Sequence, residues 1–268
     1  MKRTFVLLTV LAMLAGIFAG CAAAGSNTLK VGMELAYPPF ETKDDQGNPT
    51  GVSVDFARAL GESLGRPVEI QNIAWDGLIP ALQTGKVDIV ISSMTIKPSR
   101  LEQIEFSKPY AKALLALLTN KNSNVKSVDD LNQAGRKIAV KTGTTGDLYA
   151  QEKLKNAQLI SLADESACVT EVVQGKADAF IYDQLTIYRN QAANPDTTAA
   201  VYIPGQDVEY WGVGVKKGNA QLLEKVNTFI DKFYADKGFD AITQKYLAQE
   251  KQAFDELGFD WFFDGVMK

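Results

Sequence analysis

Two charged residues, Arg100 and Asp183, stand in settings that suggest ligand chemistry, and each follows a short apolar run opened by the same phrase. Gly85-Lys-Val-Asp88 leads into Ile89-Val-Ile91, then into the hydroxyls of Ser92, Ser93, Thr95 and Ser99, and ends at Arg100. Gly175-Lys-Ala-Asp178 leads into Ala179-Phe-Ile-Tyr182 and ends at Asp183, with the two glycines 90 positions apart. A glycine after an apolar-periodic segment reads as a helix stop, and the run after it as a strand buried on both faces. In open α/β sheets ligands sit beyond the carboxyl ends of strands. The first strand end suits a small anion; set against a second end that carries an acid, the pair suits a zwitterion. Gly-Lys-x-Asp is also a common helix-to-strand turn, so the weight rests on two copies with complementary ends.

Composition narrows the remaining chemistry. The 268-residue chain contains no histidine and only two cysteines, Cys21 and Cys168. Histidine/cysteine metal sites and serine or cysteine nucleophiles activated by histidine are therefore excluded, while a carboxylate or lysine mechanism stays open. No cofactor is implied, and no internal disulfide can form without Cys21. Hydrophobic residues make up 46% of the chain and its mean hydropathy is near zero, as in an ordinary globular protein. The net charge of −4, or −6 without Lys2 and Arg3, gives no clustered basic face for nucleic acid.

Lys2 and Arg3, the apolar run from Phe5 to Ala19 and the small residues before Cys21 read as a secretory signal over residues 1–20. Phe18-Ala-Gly-Cys21 resembles a bacterial lipobox, with phenylalanine where leucine is usual, so Cys21 is the expected lipidation site and 21–27 a flexible leash. From Leu29 the pattern reads β-α-β-α-β as far as Ile91, which favours a parallel sheet. Glu105-Phe-Ser-Lys-Pro-Tyr110 breaks the pattern, Ala113 to Thr119 reads as a strand, and Ser127 as a helix N-cap. The plan then repeats to Asp183. Trp211 to Val215 is a strand able to return the chain to the first unit, and the aromatic tail from Phe254 to Phe263 is expected to dock on a surface.

Tyr37-Pro-Pro-Phe40, Trp75-Asp-Gly-Leu-Ile-Pro-Ala-Leu82, Ser92-Ser-Met-Thr-Ile96 with Arg100, Gly143-Thr-Thr145 and Phe180-Ile-Tyr-Asp183 resemble, in order and spacing, motifs of the extracytoplasmic solute-binding proteins of polar amino-acid ABC importers, family 3. The resemblance covers about residues 28–247. It implies an α/β, two-lobed, periplasmic-binding-protein-like fold of type II, each lobe a mostly parallel sheet flanked by helices, with the ligand cleft between lobes. Lobe one is expected over 28–116 and 211–268, and lobe two over 117–210. Carried over residue by residue, the resemblance implies that Arg100 clamps an α-carboxylate bidentately, with backbone N–H groups of Thr95 and Thr145, next to Thr144, completing that site. It implies that Asp183 pairs the α-ammonium with Ser93 as a neutral partner, and that Tyr37 and Trp75 surround the ligand side chain. Glu34 points to a cationic side chain and Lys141 to a glutamine amide, unless the two pair with each other; a cationic amino acid is placed slightly ahead.

The resemblance further implies a non-enzymatic, monomeric protein, periplasmic or at the cell surface, whose partners are a free amino acid and the membrane permease. Two alternatives stay open. One is a cyclohexadienyl dehydratase on the same fold, with Glu34 recruited as the acid. The other is a sensory module, disfavoured because no spanning or signalling segment follows Lys268.

Overall fold

A computed structural model describes residues 27–266. The segment read as a secretory signal, and Cys21, lie outside the described residues. The chain forms β1 (Leu29–Met33), a small hairpin of β2 (Thr42–Lys43) and β3 (Pro49–Thr50), α1 (Val52–Ser63), β4 (Val68–Asn72), α2 (Leu78–Thr84), β5 (Ile89–Val90), the single turn α3 (Pro98–Leu101) and β6 (Glu105–Ala113). Next come β7 (Leu115–Asn120), β8 (Lys137–Lys141), α4 (Thr145–Lys153), β9 (Gln158–Leu162), α5 (Glu165–Val173), β10 (Ala179–Asp183), α6 (Gln184–Ala193) and β11 (Thr198–Tyr202). The last elements are β12 (Glu209–Val215), α7 (Ala220–Ala235), α8 (Gly238–Tyr246) and α9 (Ala248–Leu257).

Two five-stranded sheets share one plan. The first runs β4-β1-β5-β12-β6 and the second β9-β8-β10-β7-β11. In each, three strands are parallel and joined through helices, and the fourth strand of the row is antiparallel to both neighbours. That antiparallel strand, β12 or β7, is the one delivered from the other lobe: the chain leaves the first sheet at Leu114 and re-enters it at Glu209. A strand arriving this way enters from the opposite end and needs no helical crossover. The α/β two-lobed reading of the sequence therefore holds.

The repeated Gly-Lys-x-Asp phrase is the same joint in both lobes. Gly85 (φ 76°) and Gly175 (φ 70°) take the left-handed conformation that ends a helix. Asp88 then accepts a hydrogen bond from the Lys30 N–H at 3.0 Å and pairs with Arg66 at 2.7 Å. Asp178 does the same with the Lys137 N–H at 2.7 Å and Arg136 at 3.2 Å. Each aspartate registers its strand against a parallel neighbour, β1 or β8, which leaves the residues beyond the strand free to differ between the lobes.

Two local expectations fail. Glu105–Ala113 is a nine-residue strand despite Pro109, because β6 is an edge strand where a missing N–H costs no ladder bond, and β12 shifts register opposite the proline. Ser127 does not cap a helix. Asp130 accepts from the N–H groups of Lys126 and Ser127 and from the Ser127 hydroxyl, and only a 3₁₀ turn, Asp129–Leu131, forms.

Both faces of the second sheet are buried. Leu115 and Leu117 of β7 pack on one side, and Ala116 and Leu118 on the other with Phe180 and the free thiol Cys168. The first lobe's main core gathers β1, α1, β12 and α7 to α9, and it includes the tail. Trp261 and Phe262 are each 3% exposed; the Phe262 ring lies 5.1 Å from Phe40 and 5.4 Å from Trp211, and its carbonyl accepts the Lys112 N–H at 2.8 Å. Phe259 reaches Tyr202 of the second lobe at 4.5 Å. Because the Phe262 side chain packs against Phe40 and the cleft residue Trp211, Phe262→Ala is expected to cost about 3–5 kcal/mol in urea unfolding. A loss below about 1 kcal/mol would show that the tail only rests on the surface.

Candidate functional site

The carboxyl ends of β5 and β10 face each other across a cavity lined by residues of both lobes. Beyond β5 the chain runs through Ser92, Ser93 and Thr95 to α3, whose single turn, opened by Pro98, carries Arg100 inward. Arg100 is 6% exposed. One guanidinium nitrogen donates to the Thr95 carbonyl at 2.7 Å and another to the Gly143 carbonyl of the opposite lobe at 3.1 Å, with the Trp75 ring 5.2 Å from Cζ. Burial pushes the guanidinium down to about 10, opposed by Glu209, so it keeps its charge at neutral pH. Among the described residues no carboxylate lies within ion-pairing distance of it.

Three further groups surround that cation. Thr95 pairs with Trp211 through the flanking bonds Ile96 N–H to Tyr210 C=O and Gly212 N–H to Met94 C=O. In such a pair the residue's own N–H and C=O point away from its partner, and here the C=O meets Arg100. Thr145 is the first residue of α4, so its N–H has no intrahelical acceptor, and Thr144 precedes it as N-cap. Gly146 lets this helix end approach the sheet: a Cβ there would lie 2.3 Å from the Ile181 carbonyl oxygen.

At the other end of the cavity, Asp183 closes β10 and caps α6. Its Oδ1 accepts from the Leu185 N–H at 3.0 Å and the Thr186 N–H at 3.1 Å. Oδ2 is buried with no hydrogen bond of good geometry, although the Tyr37 hydroxyl interacts with the same carboxylate. Burial raises the Asp183 pKa. A cation arriving at Oδ2 would relieve both the unpaired oxygen and the desolvation.

Tyr37 is 5% exposed, stacks on Phe40 at 5.1 Å and meets Tyr182 edge-on at 5.6 Å. Trp75 opens the turn Trp75–Gly77 and lines the opposite wall. Glu34 and Lys141, one from each lobe, form an ion pair with each other, and Lys141 is 1% exposed. Glu34 also accepts from the Trp75 N–H at 3.4 Å. The structure thus brings Arg100, Thr95, Thr144, Thr145, Ser93, Asp183, Tyr37, Trp75 and Glu34 to one cavity, with Lys141 behind Glu34.

Sequence reasoning missed Glu41, Glu209 and Trp211, all of which line the cavity, as does Ser92, whose hydroxyl the strand end had marked. Glu41 is 1% exposed and accepts from Ser92 Oγ at 3.4 Å and Ser93 Oγ at 3.1 Å. Its signal was local: an acid directly after Tyr37-Pro-Pro-Phe40, where mutual backbone bonds of 2.9 Å between Tyr37 and Glu41 fold the phrase back on itself. Glu209 pairs with Lys97 at 2.8 Å. Ser93 has φ 49°, a left-handed conformation that costs a non-glycine residue about 1–2 kcal/mol and that only its surroundings hold.

The chain is similar in sequence and fold to several amino-acid-binding proteins. A probable histidine-binding protein of Neisseria gonorrhoeae is 30% identical over 85% of this chain and 86% of its own. The crystal structure of an ancestral amino acid-binding protein, described as a precursor of cyclohexadienyl dehydratase, superposes with a TM-score of 0.76 at 38% identity, over 82% of this chain and 95% of that one. An ancestral arginine-binding protein bound to glutamine gives 0.76 at 34% identity, over 83% and 99% of the respective chains. The family model of the bacterial extracellular solute-binding proteins, family 3, matches residues 29–249, and the chain belongs to that family.

Proposed function

We propose that the protein binds one polar amino acid in the cleft, outside the cytoplasmic membrane, and presents it to the permease of an ABC importer. The observation that carries this reading is an incompletely met charge at each end of one cavity: Arg100, with no carboxylate in ion-pairing distance among the described residues, and the buried Asp183 Oδ2, with no hydrogen bond of good geometry beyond the Tyr37 hydroxyl near its carboxylate. A zwitterion answers both. Its α-carboxylate would meet Arg100 and the N–H groups of Thr95 and Thr145, and its α-ammonium Asp183 and Ser93. Tyr37 and Trp75 would hold the side chain between them.

Lys141, behind Glu34, cancels its charge, so the side-chain end offers Glu34 as a neutralised acceptor instead of a net anion. That pairing moves a neutral polar side chain, glutamine foremost, ahead of lysine and arginine. Because Arg100 and Gly143 also connect the lobes, ligand contacts on both sides would favour closure, and the permease would read the closed form. Among the described residues no helix is long and apolar enough to cross a membrane. A lipid on Cys21 would tether the mature chain to the outer face of the membrane.

A thermal-shift screen of the mature chain against the twenty amino acids and prephenate tests the assignment. A ligand at a hundred times its Kd adds about 2.7 kcal/mol, which is roughly 5–10 °C for a chain of this size. Glutamine is expected to give the largest shift. Conversion of prephenate, the reading that the dehydratase-precursor relative keeps alive, would instead make this an enzyme. Glu34 accepts from Lys141 and the Trp75 N–H, a poor setting for a proton donor.

A further inference from the structure

Glu41 is a buried acid that the binding scheme above leaves without a task. It lines the floor of the cavity, where β5 ends, among four hydroxyls. Ser92 and Ser93 donate to its two oxygens, and the buried hydroxyls of Ser53 on α1 and Tyr110 on β6 stand on its other sides. The Ser92 oxygen in turn accepts the Glu34 N–H at 3.0 Å. The carboxylate thus ties together the start of the side-chain end, through Glu34, and the partner proposed for the ligand's ammonium, Ser93.

We propose that Glu41 is a positioning residue for that ammonium: its carboxylate takes the Ser93 hydroxyl proton in a hydrogen bond, so that the oxygen's lone pairs, and not its proton, face the ligand. The inference rests on the amino-acid reading above. A serine hydroxyl has one proton to donate and two lone pairs to offer. When Glu41 is ionised both of its oxygens accept, and Ser93 is left as an acceptor toward the cavity. When Glu41 is protonated it can donate to Ser93 instead, which turns the serine proton outward against an incoming cation. The left-handed backbone at Ser93 is consistent with a side chain held in one orientation.

Burial raises Glu41 to about 8, so near neutral pH the protonated form prevails before ligand arrives. The charged and titratable groups facing it are Glu34, paired with Lys141, and the phenols of Tyr110 and Tyr182. An ammonium at Ser93 favours the ionised form. The bound state therefore holds fewer protons, and affinity must rise with pH up to the free-state value. If binding lowers Glu41 by one unit, affinity climbs about fivefold between pH 6 and pH 8, a range over which a free amino acid stays zwitterionic.

The test is calorimetric titration of the full mature protein with the amino acid that gives the largest thermal shift, glutamine on the present reading. It is run at both pH values in two buffers that differ in ionisation heat. Wild type should bind about fivefold tighter at pH 8 and release protons. Glu41→Gln, whose amide offers one acceptor oxygen to two hydroxyls, should bind at least fivefold more weakly at pH 8, with a clearly smaller change than wild type between the two pH values. Glu165 and Asp183, raised by burial in the same region, are unchanged in that variant, so the difference isolates Glu41. Ser93→Ala should flatten the profile in the same way and carries the test if Glu41→Gln does not fold. A purely structural role would lower affinity equally at both pH values. Equal wild-type affinity with no proton release, or an unchanged slope in a folded variant, overturns the proposal. Failure of wild type to bind any amino acid would sink the underlying reading instead.

Discussion

Replacing Arg100 by alanine is expected to weaken amino-acid binding at least a hundredfold while the protein still folds. Among the described residues the guanidinium has no carboxylate in ion-pairing distance, and it is held by two backbone carbonyls and the Trp75 face. Those contacts fix its plane but leave its charge for a carboxylate. Truncating one member of a buried charge pair typically costs about 2–5 kcal/mol, much of it for the charge left behind, and a hundredfold loss corresponds to about 2.7 kcal/mol. The variant also loses the bond to Gly143, so the ligand-induced change in small-angle scattering should shrink. Arg100→Lys should fall between, because an ammonium keeps the charge without the planar fork. Calorimetric titration of both variants, with circular dichroism as the folding control, decides it. Near-normal binding by Arg100→Ala would remove the carboxylate assignment and with it the orientation of the ligand.

Much of this arrangement was legible because the informative residues break local patterns. A β-branched run that turns at once to Ser92 and Ser93, or ends at Asp183, announces a strand end with a task, and the shared glycine and aspartate mark both copies as one joint. Other features were hidden for physical reasons. Glu41 has no apolar periodicity, and a lone glutamate defaults to the surface; only the fold-back of the Tyr37 loop buries it. Pro109 argues against a strand unless the strand is known to be an edge, and edge position is a property of the whole sheet. Aromatic density in the tail signalled docking but not its destination, since Phe40, Trp211 and Tyr202 come from three distant segments. The opposing hints of Glu34 and Lys141 could not be resolved in one dimension. Whether two charges select ligands or select each other depends on a distance that only the closed cleft sets.

Because those two charges meet, Lys141 should act as a built-in occupant of the subsite that a cationic ligand would use. Lys141→Met keeps the length of the stem and removes the charge, leaving Glu34 buried and unpaired. Breaking a buried pair by removing one partner typically costs about 3–5 kcal/mol, so the ligand-free variant should unfold at a lower temperature than wild type. The same penalty becomes a driving force when a ligand carries its own cation. Lysine or arginine can supply the missing charge, whereas glutamine can offer only an amide. At the effective dielectric of a partly buried site, two charges about 4 Å apart interact by about 4 kcal/mol. Even after losses to solvation and side-chain ordering, the preference for lysine or arginine over glutamine should shift at least a hundredfold, and those ligands should restore the lost thermal stability where glutamine does not. Glu34→Gln should act in the opposite sense and reject cationic side chains more strongly, because it leaves Lys141 uncompensated beside them. If Lys141→Met leaves the order of affinities unchanged, the pair is a clasp between the lobes alone, and selectivity has to come from the aromatic walls of Tyr37 and Trp75.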